Sequence, residues 1–309
     1  MSAEVYVGPA GWAYDDWKGV VYPPVGGRGR GRKFDPLAYL ARFFDVIEIN
    51  STFYRPPARA AVRSWAERVS DRPRFRFTVK VWSGFTHGEL SGKDGAGEDE
   101  ARLFVESLRP LAAEGRLGAL LLQFPFWFRE NRANRDRLSR LAEWLGGVAP
   151  MNVEIRHTSW LKPEPMTFLH ETGLGFVNID LPRSHDRGKT SPPPTDFATN
   201  EVGYVRLHGR NAAAWFAKGA GRDQKYDYRY SADEIEPWVR RVETIRGKTN
   251  VTYVIANNHF RGQAPANALE IMARIADLPA VRIPAPLAET YPDLTALGEV
   301  EEPNDGTLF

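Results

Sequence analysis

The chain contains no cysteine among its 309 residues, and that absence removes several chemistries at once. There can be no disulfide, no thiolate nucleophile and no cysteine-ligated metal, and nothing points to an oxidising compartment. Net charge is almost absent too. The 41 Lys and Arg against 39 Asp and Glu leave +2, too little by itself to imply a polyanionic partner. Long apolar runs are missing: the longest, GALLLQFPFWF (118–128), is broken by Gln123 and Pro125 and is too short to span a bilayer. No charged-then-apolar leader precedes the first strand, so the expected setting is cytoplasmic, with no membrane partner. No linker or composition shift divides the chain.

What the chain does have is a repeated strand of unusual design. In MNVEIRHTSW (151–160) side chains alternate, which puts Asn152, Glu154 and Arg156 on one face and Val153 and Ile155 on the other. A strand with one apolar and one charged face needs a hydrophobic neighbour on one side and a polar one on the other. The design recurs. DVIEINSTFY sets Glu48, Asn50 and Thr52 against Ile47 and Ile49, and RFRFTVKVW sets Arg76, Thr78 and Lys80 against Phe75, Phe77, Val79 and Val81. LGALLLQFP ends in Gln123, GFVNIDLP carries Asn178 and Asp180 opposite Val177 and Ile179, and GYVRLHGR carries Arg206 and His208 opposite Val205 and Leu207. VYVGPAGW and NVTYVIANNH bring the strand-like runs to roughly eight.

Helical patterns lie between these runs: one opening at Asp35 with Pro36 in the first helical position, then 58–69, 98–115, 134–145, 164–173, 231–248 with Ser231 as N-cap, and 265–275. Alternating strands and helices predict a single α/β domain, a (β/α)8 barrel of the TIM type over 1–275. The long loop 183–200 stands where a sixth helix is due and is a candidate lid, while 276–309 reads as a C-terminal strap ending in a flexible tail. The segments GPAGWAYDDWKG, FDVIEINSTFYRPP, FTVKVWSGFTH, LGALLLQFPFWF, VEIRHTSW, YVRLHGR and YVIANNH, in this order from about Val5 to Ile275, resemble the YecE-like family of unknown function. That resemblance implies the barrel fold and leaves the chemistry to the residues. The Gly-Arg loop after Pro24 and the extended tail depart from it.

Functional groups in such barrels sit at the C-terminal ends of the strands. Those ends carry Trp12, Asn50, Tyr54, Lys80, Trp82, Gln123, Arg156, His157, Asp180, His208, Asn257 and Asn258, with Glu48, Glu154 and Arg206 deeper. The deep charges read as an ion-pair network filling the barrel, the upper ring as ligand contacts. Aromatics on the same loops suit a sugar ring or base, and cations beside them suit phosphate or carboxylate. The expectation is therefore a barrel enzyme, hydrolase-like, acting on an anionic ring compound such as a nucleotide or sugar phosphate. Lys80, Arg156 and Asn50 hold the anion, Tyr54, Trp12, Trp82 and Asn257 complete the binding surface, and Asp180 with His208 form the acid/base pair that Glu154 orients from below.

Two alternatives come from other classes. A glycosidase would use Glu48 and Glu154 as its carboxylate pair, and a non-catalytic protein would bind single-stranded nucleic acid through the aromatics and the arginines of 26–33. His87, His157, His185, His208 and His259 are separated by whole strand-helix units without an HxH or HExxH pair. No metal and no other cofactor is expected. The last residues, Leu308 and Phe309, follow an acidic stretch and look like the short Leu-Phe peptides with which bacterial replication and repair proteins dock on the sliding clamp, without the usual glutamine. The competing expectation has both fold back on the barrel.

Overall fold

The computed structural model describes residues 3–24, 34–90, 96–183 and 191–301. The first half contains β1 (Glu4–Pro9), α1 (Pro36–Leu40), β2 (Val46–Ile49), α2 (Arg59–Glu67), β3 (Arg76–Lys80), α3 (Ser83–Thr86), α4 (Glu98–Ala113), β4 (Leu117–Gln123) and α5 (Arg132–Leu145). The second half contains β5 (Met151–Glu154), α6 (Pro163–Glu171), β6 (Gly175–Asp180), β7 (Val202–Leu207), α7 (Ala212–Phe216), α8 (Arg222–Lys225), α9 (Ala232–Arg246), β8 (Val251–Ala256) and α10 (Gln263–Met272). β9 (Val281–Pro284), α11 (Ala285–Thr290) and β10 (Gly298–Glu301) follow. Helix starts obey local chemistry: the Asp35 carboxylate accepts from the amides of Leu37 and Ala38 ahead of Pro36, and Glu234 reaches back 3.0 Å to the Ser231 amide.

β1 to β8 form one parallel eight-stranded sheet in the order β1-β8-β7-β6-β5-β4-β3-β2. Its ends meet through the Ala10–Glu48 bridge, where the Gly11 amide donates to the Glu48 carbonyl at 2.8 Å. Gly8 makes that approach possible, since a Cβ there would lie 1.9 Å from the Val46 carbonyl oxygen. The result is a nearly closed TIM-type barrel, as the strand and helix patterns predict. Outward strand residues such as Val7, Ile47, Val79, Leu122, Val153 and Val205 pack with the helices in one apolar layer. Inside, Tyr6, Tyr204 and Tyr253 gather with Leu121, Val177 and Ile179.

That last pair corrects an expectation. In β6 the apolar Val177 and Ile179 face the barrel interior, and Asn178 and Asp180 face outward. The cause lies in what covers the strand: no helix forms between β6 and β7 among the described residues, and an irregular segment lies there instead. Irregular backbone has amides and carbonyls to satisfy. Asn178 does so, donating to the Phe197 carbonyl at 2.9 Å and accepting from the Phe197 amide at 2.9 Å and the Thr195 hydroxyl at 2.7 Å. Phe197 meets Phe176 edge-on and fills the apolar space a helix would occupy. Residues 195–199 thus back the strand, while 184–190 of the candidate lid lie outside the described residues.

The strap is a packed unit up to residue 301. β9 and β10 pair in parallel, Val281, Ile283, Leu287 and Leu294 are buried, Arg42 pairs with Glu301, and Arg229 donates to Asp293 at 3.0 Å. The arginines of 26–33, His185 and the tail with Leu308 and Phe309 lie outside the described residues. Among the described residues, no helix is long and apolar enough to cross a membrane.

Candidate functional site

The interior is built in tiers. At the bottom Tyr6 packs at a tilt against Tyr253, and the Tyr204 hydroxyl lies 2.8 Å from both Glu48 Oε2 and Thr78 Oγ1. Above it Arg206 bridges the two buried carboxylates, with Nη2 2.6 Å from Glu48 Oε1 and Nη1 bonded to Glu154 Oε2. Arg156 Nε adds a 2.8 Å bond to Glu154 Oε1. Burial alone would raise the Glu154 pKa, yet Arg206, Arg156 and His208 together hold it well below the ordinary carboxylate range. Glu48, Glu154 and His208 have no exposed surface, and Arg206 keeps 1%, at the floor of the cavity above.

His208 belongs to this tier. Its Nδ1 lies 2.9 Å from Asn257 Nδ2, and its Nε2 lies 3.4 Å from both Glu154 Oε1 and Arg206 Nη1. Burial drives its pKa down to about 3, against the pull of Glu154, so the ring is neutral across the physiological range.

Above the network opens a cavity of about 440 Å³ at the C-terminal strand ends. Its wall includes Trp12, Tyr14, Asn50, Phe53, Tyr54, Trp65, Lys80, Gln123, Arg206, Arg222, Tyr226, Asn257 and His259. Lys80, Arg206 and Arg222 bring positive charge, and no Asp or Glu lines it. Several buried polar atoms on this wall, Asn50 Oδ1, His259 Nδ1 and Nε2, and Arg206 Nε, have no hydrogen-bond partner among the described residues. Buried polar atoms are nearly always paired, so these atoms leave hydrogen-bonding capacity open on the concave wall, as others do elsewhere in the protein. His259 is positioned by stacking on Tyr14, ring centroids 4.5 Å apart and planes 10° from parallel.

A family model described as "Protein of unknown function DUF72" matches residues 6–289. The chain belongs to this DUF72 family. It is 27% identical to the YunF protein of Bacillus subtilis over 279 residues, 87% of this chain and 93% of that protein. It is also 27% identical to Escherichia coli YecE over 182 residues, 57% of this chain and 59% of that one. Solved DUF72 structures from Thermotoga maritima (32% identity, TM-score 0.71, 87% of this chain and 97% of that one) and Enterococcus faecalis (27%, 0.74, 87% and 94%) share its architecture.

On the DUF72 barrel, the sequence-expected residues divide cleanly. Trp12, Asn50, Tyr54, Lys80 and Asn257 line the cavity. Arg156 does not: its guanidinium serves Glu154 and is flanked by the rings of Phe126 and Trp215 at 5.6 and 5.9 Å. Trp82 packs edge-on to Phe85 in the outer apolar layer. Asp180, on the outer face of β6, binds Arg210 Nε at 2.8 Å, and burial raises its pKa despite Arg210. The expected Asp180–His208 pair is therefore not assembled, because the two side chains leave the sheet on opposite faces. Glu48 and Glu154, the expected glycosidase pair, are locked on Arg206 beneath the cavity.

Tyr14, Phe53, Trp65, Tyr226 and Arg222 were not legible as site residues. Trp65 comes from α2, a helix whose apolar residues are expected on the sheet, and Arg222 and Tyr226 come from the excursion after β7 that holds α7 and α8. Asn211 anchors that excursion, its Nδ2 donating to the Gln224 and Asp227 carbonyls at 3.1 Å each. The signal available was the run of Trp215, Tyr226 and Tyr228 in a segment too long for a simple turn.

Proposed function

We propose that this DUF72 protein binds an anionic, ring-bearing small molecule, of the nucleotide or sugar-phosphate type, in the cavity above the Arg206 network. The observation that carries the reading is a wall with Lys80, Arg206 and Arg222 and no carboxylate, set among Trp12, Tyr14, Phe53, Trp65 and Tyr226. Aromatic faces take a ring, and of the three cations Arg206 is paired with Glu48 and Glu154 and Arg222 with Asp223, so Lys80, without an ion pair among the described residues, is the one left to take a negative charge. A volume near 440 Å³ suits one small molecule. Asn50 Oδ1 and the His259 ring nitrogens supply the directional contacts that distinguish one ring from another. Acid/base work on a substrate would fall to titratable groups on the cavity wall, among which are Lys80 and His259, whereas Asp180 and His208 do not line it.

A thermal-shift panel of phosphorylated and carboxylated ring compounds tests the reading. At least one compound should raise the melting temperature, and Tyr226→Ala should weaken its binding without lowering the melting temperature of the free protein. A panel without a single stabiliser, at millimolar concentrations, refutes it. A second reading rests on Tyr54, 72% exposed at the rim: the ligand is the end of a single strand of nucleic acid continuing outward over that ring. Affinity then grows with strand length and falls steeply with salt.

A further inference from the structure

Lys80 stands apart from the other interior charges. Its backbone is pinned at the end of β3, where the Thr52 hydroxyl donates 2.6 Å to the Lys80 carbonyl. Its Nζ reaches over the Phe53 ring, 3.7 Å from the centroid, on the wall of the cavity. No hydrogen bond or ion pair to Nζ is formed among the described residues. The carboxylates nearby are already engaged, Glu48 by Arg206 and Tyr204, Glu154 by Arg206 and Arg156. From β2 the amine thus faces Glu48, from β5 Glu154, from just past β5 Arg156, from β7 Arg206, and from the residue after α3 His87. His87 adds no charge, since burial and the cations around it hold its pKa near 4.

We propose that Lys80 is the nucleophile of this cavity, its amine condensing with an aldehyde or ketone carbonyl on the anionic ring ligand to form an imine. The inference rests on the cavity being a ligand site, as argued above. In the first step the Nζ lone pair forms a bond to the carbonyl carbon, the C=O π pair moves to oxygen, and a proton passes from nitrogen to that oxygen. In the second the carbinolamine loses the C–O bond, its oxygen leaving as water with the remaining N–H proton, so amine plus carbonyl becomes imine plus one water. No oxidant or reductant is needed. The environment favours this use of the lysine over a purely electrostatic one. Burial and the neighbouring Arg206 and Arg156 outweigh Glu154 and Glu48 and bring the Lys80 pKa down to about 7, so that near neutrality much of it is free amine. A solvent lysine with a pKa near 10.4 is free amine to only about one part in a few thousand at pH 7.

Pyridoxal 5′-phosphate serves as the probe, combining ring, phosphate and aldehyde, with borohydride reduction to fix any imine on the full chain. The expected result is one adduct, located by peptide mapping on Lys80, formed at least roughly tenfold faster than on any other lysine. Its rate should rise with a midpoint near pH 7 and fall when inorganic phosphate competes. Pyridoxine 5′-phosphate, which lacks the aldehyde, measures non-covalent binding by calorimetry. Lys80→Arg keeps the positive charge and should keep that binding while losing the adduct; Lys80→Met should lose both. If pyridoxine 5′-phosphate binds but Lys80 is labelled no faster than surface lysines, the nucleophile proposal is wrong and the cavity reading stands. If neither compound binds or labels, both fall. A variant that melts below the working temperature leaves the decision to the peptide map of the native chain.

Discussion

Arg206→Met tests the logic of the interior most directly. The guanidinium is 1% exposed and joins Glu48 to Glu154, both wholly buried. Met has the length to fill part of the same channel, so the change removes charge and hydrogen bonds more than volume. After it, Glu154 keeps Arg156, but Glu48 keeps only the Tyr204 hydroxyl. Leaving one partner of a buried pair uncompensated costs about 3–5 kcal/mol. At about 2.1 cal/mol/K per residue, a chain of this length loses roughly 5–8 °C in melting temperature for that cost. Thermal and urea unfolding at pH 7 measure it. The pH dependence carries the sign. Glu154, with its folded pKa held below the usual 4.5, contributes stability that is complete above 4.5 and lost as pH falls through the folded value. The gap between native and variant should therefore be widest at neutral pH and narrow below pH 4.5. A loss under about 1 kcal/mol that does not change with pH would refute the claim that the network holds the barrel together.

Three further outcomes follow from the same geometry. His208, neutral and buried with its pKa near 3, makes the fold lose up to about 1.4 kcal/mol per pH unit as pH falls from 6.5 toward 3; His208→Asn should flatten that slope, and an unchanged acid-unfolding curve would contradict it. Asp180→Asn, on the outer face of β6, should cost about 1–3 kcal/mol by loosening Arg210 and leave ligand affinity in the cavity unchanged; a selective loss of affinity measured by calorimetry would return Asp180 to the site. Gly8→Ala should prevent soluble expression or lower stability by more than about 3 kcal/mol, because its methyl meets the Val46 carbonyl; a variant melting within a degree or two of the native protein would mean that β1 and β2 do not need their close contact.

The barrel was legible because seven helical patterns and the two-faced strands each obeyed a local rule, and those rules agreed. Within the site, Asn50, Lys80 and Gln123 were legible because β2, β3 and β4 have helices behind them, which fixes their apolar residues outward. β6 broke the rule for a reason beyond its own sequence. GFVNID reads the same whether a helix or an irregular segment lies outside it, and only the covering element decides which face turns in. The cavity's remaining wall was hidden for a related reason: Trp65 projects from a helix, and Arg222 and Tyr226 arrive from an excursion whose path no periodicity sets.

That excursion has an evolutionary consequence. Arg222 and Tyr226 hang from a segment outside the strands, while the charges beneath the cavity are wired to one another across β2, β5 and β7. A change of length or content in residues 211–228 meets the barrel at its upper edge, where Trp215 lies beside Arg156 and Tyr226 beside His259, whereas a change at Glu48, Glu154 or Arg206 leaves a deeply buried charge without its partner. The cavity wall is thus shared between the excursion, with Arg222 and Tyr226, and the strand ends, with Asn50, Lys80 and His259. Grafting this one segment from one relative to another separates its share of any binding from that of the strand ends.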